Sequence, residues 1–72
     1  MVNINKLKGK IVEKGFTVER LAKEMGLDRS TLYRKLSNDG ETLLIREANM
    51  ICKALQLTGE EATAIFFSRY VA

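Results

Sequence analysis

A chain of 72 residues with net charge +3, 46% hydrophobic and 29% charged residues has the size and balance of one small globular domain with a thin core, which excludes disorder. A single cysteine, Cys52, and no histidine exclude an intrachain disulfide and a zinc cluster. No apolar run approaches the roughly 20 residues that span a bilayer, and MVNINKLKGK lacks the apolar segment of a signal peptide, so a reducing, cytoplasmic setting without a membrane or a cofactor is expected.

Proline is absent, so element boundaries are read from glycines and capping residues. Asn3 caps a first predicted helix from Ile4 to about Lys14, with Ile4, Leu7 and Ile11 at helical spacing, Val12 widening that stripe and Gly15 as its left-handed stop. Gly9 inside this helix costs up to about 1 kcal/mol against alanine, and close packing against a neighbour would account for it. Thr17 is the N-cap of a second helix whose apolar face is Val18, Leu21, Ala22 and Met25, and Gly26 ends it. Leu27 is expected to turn into the core, and Asp28 to cap a third helix from Arg29 to about Ser37.

The run Ser37, Asn38, Asp39, Gly40, Glu41, Thr42 is the strongest loop signal. It divides a basic half from an acidic one. Residues 1–36 carry nine Lys/Arg and four Asp/Glu, whereas residues 37–72 carry three and five, an asymmetry that suits a polyanion such as nucleic acid. A fourth helix follows from about Leu44 to Leu55, with Leu44, Ala48, Ile51, Cys52 and Leu55 on its inner face. Thr58 and Glu61 form a capping box for a fifth, whose inner face is Ala62, Ile65 and Phe66. The remainder, Phe67 to Ala72, is apolar enough to serve as a core lid, a dimer contact or a short strand. The fold expected is all-α with about five helices.

On a wheel, the third helix buries Leu32 and Leu36 and presents Ser30 and Arg34 opposite them, flanked by Thr31, Tyr33, Ser37 and Asn38, with Arg29 projecting from the first turn. A helix entering a DNA major groove reads bases mainly through its N-terminal residues, which makes Arg29, Ser30 and Arg34 the candidate base readers. Thr17, Thr31, Tyr33, Lys35, Ser37 and Asn38 are candidates for phosphate or other DNA contacts, and Lys6, Lys8, Lys10 and Lys14 for diffuse attraction. Two amphipathic helices around a glycine also occur in proteins that never touch DNA. A tight bihelical turn asks for more: a small residue at the crossing, a left-handed turn residue and an aliphatic plug, supplied here by Ala22, Gly26 and Leu32.

In Leu21, Ala22, Gly26, Leu27 and Leu32, and in the run RSTLYRKLSN, the chain resembles the Cro and phage-repressor (Xre-like, lambda-repressor-like) helix-turn-helix family, and EANMICKALQLTGEEATAIFF is similar to the later helices of its small members. The resemblance implies a single five-helix lambda-repressor-like domain over residues 1–72, with the helix-turn-helix at about 17–37 and the C-terminal helices at about 44–67. It further implies a transcriptional regulator of the Cro-like repressor type that binds operator DNA, usually as a dimer on two-fold related half-sites. Where the family often has a DNA-contacting glutamine at the start of the motif, this chain has Val18, which moves recognition toward the third helix.

The sequence shows no segment for effector sensing or self-cleavage, so no small-molecule effector is expected. A homodimer built on Phe66, Phe67, Tyr70 and Val71 is expected from their excess apolar area. The alternative is an adaptor of the same fold that binds a regulator, toxin or recombinase, although the basic first half would then have no direct use. An enzyme is not expected: Cys52 lies on an apolar helix face, and no carboxylate pair has an evident pocket.

Overall fold

The structure is a computed structural model that describes residues 2–67, among which five α-helices and no strands are found: α1 (Ile4–Glu13), α2 (Val18–Met25), α3 (Arg29–Ser37), α4 (Ile45–Ala54) and α5 (Gly59–Phe66). The all-α, five-helix expectation is met. Tyr70 and Val71, and with them most of the apolar tail, lie outside the described residues. No described helix is long and apolar enough to cross a membrane.

Local chemistry accounts for most boundaries. Asn3 accepts the Lys6 N–H at 3.1 Å, Thr17 the Arg20 N–H at 3.1 Å and Thr58 the Glu61 N–H at 3.1 Å, so three helix starts are satisfied by side chains as their sequence suggests. Glu61 returns the favour by accepting the Thr58 N–H at 2.9 Å, completing the capping box. Asp28 makes no such bond: it stands at the cap of α3 in extended backbone without using its carboxylate. Leu44 stands at the start of α4 as its cap, and not on the inner face expected for it: it is 47% exposed. Leucine offers no acceptor, and the start is held from the other side by Glu47, whose carboxylate accepts the Leu44 N–H at 2.9 Å.

Ten residues form the core: Leu7 and Ile11 of α1, Leu21, Ala22 and Met25 of α2, Leu32 and Leu36 of α3, Ile51 of α4, Leu55 at its end and Ile65 of α5. Helix α2 packs against both α3 and α4, and α1 packs against α5. Phe16, Leu27, Leu57 and Phe66 close the edges. Val12 does not widen the α1 stripe; it is 75% exposed, because α1 meets the core on one narrow face only. Ala48 and Cys52 are half-buried at the margin of α4's inner face, and burial pushes the Cys52 thiol upward.

Two glycines answer to backbone demands. Gly26 stands at φ +73, the left-handed turn that folds α2 back toward α3. Gly40, also at φ +73, lies against the N-terminal segment, where an added Cβ would come within 2.9 Å of Val2 Cβ. Gly9 is different. It is exposed and an added Cβ would meet nothing within 4 Å, so close packing does not explain it. Gly9→Ala is therefore expected to stabilise the fold by up to about 1 kcal/mol, raising the melting temperature by roughly 4–8 °C for that increment in a domain of this size. An unchanged or lower melting temperature in thermal denaturation would contradict this account of α1.

Glu61 also ties α5 to α1, 2.6 Å from the Lys10 ammonium and 3.9 Å from that of Lys14. The Lys10 ammonium first, then the Thr58 N–H, with help from Lys14, hold its carboxyl down at about 2 against an ordinary 4.5. Lys10 is raised in turn, by Glu61 and then by Glu13. A carboxyl depressed by folding contributes stability that is full above its unfolded value and lost as pH falls through its folded value. Stability should thus decline between about pH 4.5 and about pH 2. Glu61→Gln should flatten that decline in melts run across the acid range, and a decline of unaltered steepness would show that the α1–α5 tie contributes nothing.

Candidate nucleic-acid interface

The bihelical unit is fixed from beneath. Leu21, Ala22 and Met25 of α2 and Leu32 and Leu36 of α3 are all buried, and the partly buried Leu27 packs against the edge of this cluster. With Leu32 and Leu36 committed inward, the helical repeat forces the opposite residues of α3 into solvent. Arg29, Ser30, Tyr33, Arg34, Ser37 and Asn38 are exposed, while Thr31 and Lys35 are half-buried at the flanks.

This face carries no carboxylate of its own, and around its C-terminal half lies an open groove lined by Thr31, Arg34, Lys35, Ser37, Asn38 and Thr42. Thr42 joins this groove from the α3–α4 loop, outside the residues that the sequence assigns to the DNA surface. At the N-terminal end, the Arg29 guanidinium lies 3.5 Å from the Glu19 carboxylate of α2, with both side chains largely exposed. Exposed pairs of this kind stabilise by well under about 1 kcal/mol, so a phosphate or a base edge can displace Glu19 at little cost.

Thr17 sits at the start of α2 with its hydroxyl oxygen occupied by the Arg20 N–H. The hydroxyl proton is not consumed by that bond and can still be donated. The first-turn amides of α2 add the positive end of a helix dipole beside it. Val18, at the start of α2, is half-buried and packs against the core. Arg20 lies over the Phe16 ring, 4.2 Å from its centroid, a cation–π contact between α2 and the residue just before its cap.

Lys35 departs most from expectation. Instead of reaching outward to a phosphate, its ammonium donates to the Thr42 carbonyl at 3.1 Å and lies 3.1 Å from a Glu47 carboxylate oxygen. Glu47 is the buried charged residue of the core region. Burial pushes its carboxyl up, but the Leu44 N–H and the Lys35 ammonium outweigh that and hold it below the ordinary carboxylate value. Likewise Lys10 and Lys14, which were to add diffuse attraction, are drawn to Glu61 and, for Lys10, to Glu13 at 3.0 Å.

Of the residues expected at a dimer contact, Phe66 packs against the core and Phe67 is 59% exposed. Among the described residues, no group of three or more Cys, Asp or Glu side chains is placed to hold a metal ion.

Comparison with curated proteins and with solved structures gave no match. Comparison with family models gave one that spans most of the chain, the Cro/C1-type HTH DNA-binding domain, over residues 6–63. That span begins within α1 and ends within α5, and so takes in the whole bihelical unit. With the buried Leu21, Ala22, Leu32 and Leu36, the left-handed Gly26 and the exposed basic face of α3 agreeing with this match, the chain belongs to the Cro/C1-type helix-turn-helix family of DNA-binding regulators.

Proposed function

We propose that this regulator reads operator DNA in the major groove with α3, as a Cro-like transcriptional repressor of the kind carried by phages and mobile elements. The observation that carries the reading is the outer face of α3, where Arg29, Ser30 and Arg34 stand exposed opposite Leu32 and Leu36. Arginine can bind guanine O6 and N7 in a bidentate pair, and a serine hydroxyl can serve either base-edge donors or acceptors. Thr17, Thr31, Tyr33, Ser37 and Asn38 surround these residues and are assigned to phosphates, which fix the register of the helix without reading sequence.

Two-fold related half-sites bound by a homodimer fit the size of the reading surface, since one short helix covers only a few base pairs. The exposed Phe67 ring supports a contact between copies near the end of α5. Sedimentation at high micromolar concentration, with and without duplex, tests the dimer.

An electrophoretic shift with random-sequence duplex tests DNA binding itself. Affinity should be measurable at about 50 mM salt and fall steeply toward 200 mM, because each neutralised phosphate releases counterions. Failure to bind at the lower salt would transfer the reading to a protein-binding adaptor.

A further inference from the structure

We propose that Glu47 is a positioning residue for DNA binding, which holds the Lys35 ammonium against the α3–α4 loop and so keeps that cation away from the DNA phosphates. The inference rests on the reading of the α3 face as the DNA surface.

Three facts of geometry carry it. Lys35 follows the base-reading candidate Arg34 and lines the same groove, so its ammonium has the length to reach whatever occupies that groove. It is nevertheless drawn back, 3.1 Å from Glu47 Oε1 and 3.1 Å from the Thr42 carbonyl oxygen, with only 19% of its side chain exposed. Glu47 is fixed independently of Lys35, because the same Oε1 accepts the Leu44 N–H at 2.9 Å and the side chain is 7% exposed. A buried carboxylate is tolerated only where it is paired and hydrogen-bonded, and here the recognition helix supplies the pairing charge.

The consequence for binding follows from what a lysine does at a phosphate. A free ammonium beside Arg34 would add attraction to every sequence equally, since a point charge on a flexible stem does not read bases. Held by Glu47, Lys35 instead braces the loop that carries Thr42, one wall of the groove, against the C-terminal half of α3. Glu47 thereby removes a non-specific contact while setting the position of a wall of the reading site.

The test compares salt slopes on a random-sequence duplex, so that no operator need be known. Glu47→Gln keeps an acceptor for the Leu44 N–H but gives up the charge that holds Lys35. It should steepen the slope of log affinity against log salt by about 0.9, one extra phosphate contact, which adds roughly a 3.5-fold loss between about 50 and 200 mM salt. The double variant Glu47→Gln with Lys35→Gln should return to the wild-type slope. A wild-type slope for Glu47→Gln, or a double variant about 0.9 shallower than wild type, would overturn the proposal, the latter by showing that Lys35 already touches a phosphate. Circular dichroism verifies that both variants are folded; a merely structural loss lowers affinity by the same factor at each salt and leaves the slope alone. If Glu47→Gln does not fold, Glu47→Leu, which also removes the charge, takes its place against the double variant with the same steepening expected. Wild-type protein that binds no duplex at low salt would mark failure of the DNA reading, an outcome separate from any comparison of slopes.

Discussion

Leu32→Ala is expected to lower stability by about 2–5 kcal/mol, the cost of deleting a fully buried leucine and leaving a cavity behind. Leu32 is 0% exposed and belongs to the core that α2 and α3 share. A domain of this length has roughly 4–11 kcal/mol to lose, at about 0.05–0.15 kcal/mol per residue. The substitution therefore consumes a large part of the total, and urea denaturation should show a much lower midpoint with a similar slope. DNA binding should fall with it, because the outer residues of α3 are presented only while Leu32 and Leu36 hold its inner side. A midpoint close to that of the wild type would mean that α3 is not anchored through this plug.

Arg34→Ala should have the largest effect on recognition while leaving stability nearly unchanged, since Arg34 is exposed and sits opposite the buried side of α3. On a duplex selected from random sequence, the loss of a bidentate guanine contact is worth about 1–3 kcal/mol, roughly 5- to 150-fold in affinity. On unrelated duplex the loss should be much smaller, and base preference at one position should relax. An equal loss on all sequences, with a shallower salt slope, would assign Arg34 to a phosphate instead. Comparison with Arg29→Ala is informative, because the Arg29 side chain starts from a weak pair with Glu19 at 3.5 Å and must give that up to reach the DNA.

What was legible in the sequence is what is decided locally. Asn3, Thr17 and Thr58 cap their helices within three residues of themselves, Gly26 turns the chain where a left-handed residue is needed, and the spacing of Leu32 and Leu36 alone determines which side of α3 faces out. The exceptions arise where a partner comes from elsewhere in the chain. Lys35 lies on the flank of the outward face of α3, and the carboxylate that takes its ammonium is not the nearby Asp39 but Glu47, which lies across a loop and is brought to it by the packing of α4. Glu47 itself stood three residues after Leu44, the spacing of a capping box, but leucine cannot supply the other half of that signature and hid it.

The ties of Lys10 and Lys14 to Glu61 are of the same kind, since Glu61 reaches them only once α5 lies against α1. Val12 and Gly9 mark a different gap: periodicity names a stripe, but how wide a stripe is covered depends on how much of the neighbouring helix lies over it. The net effect on the functional surface is a sharper one. With Lys10, Lys14 and Lys35 half-buried beside carboxylates, the basic residues exposed near the bihelical unit include Arg20, Lys23, Arg34 and Arg29, the last in an exposed pair with Glu19, and two of these are the proposed base readers.

The most direct measurement is methylation interference on a duplex selected by the protein from random sequence. Methylation of guanine N7 marks the major groove and methylation of adenine N3 the minor groove. Insertion of α3 into the major groove predicts interference at guanine N7 positions in each half-site, with one of those positions losing its effect in Arg34→Ala. Interference confined to adenine N3, or a pattern identical for the wild type and Arg34→Ala, would contradict the account.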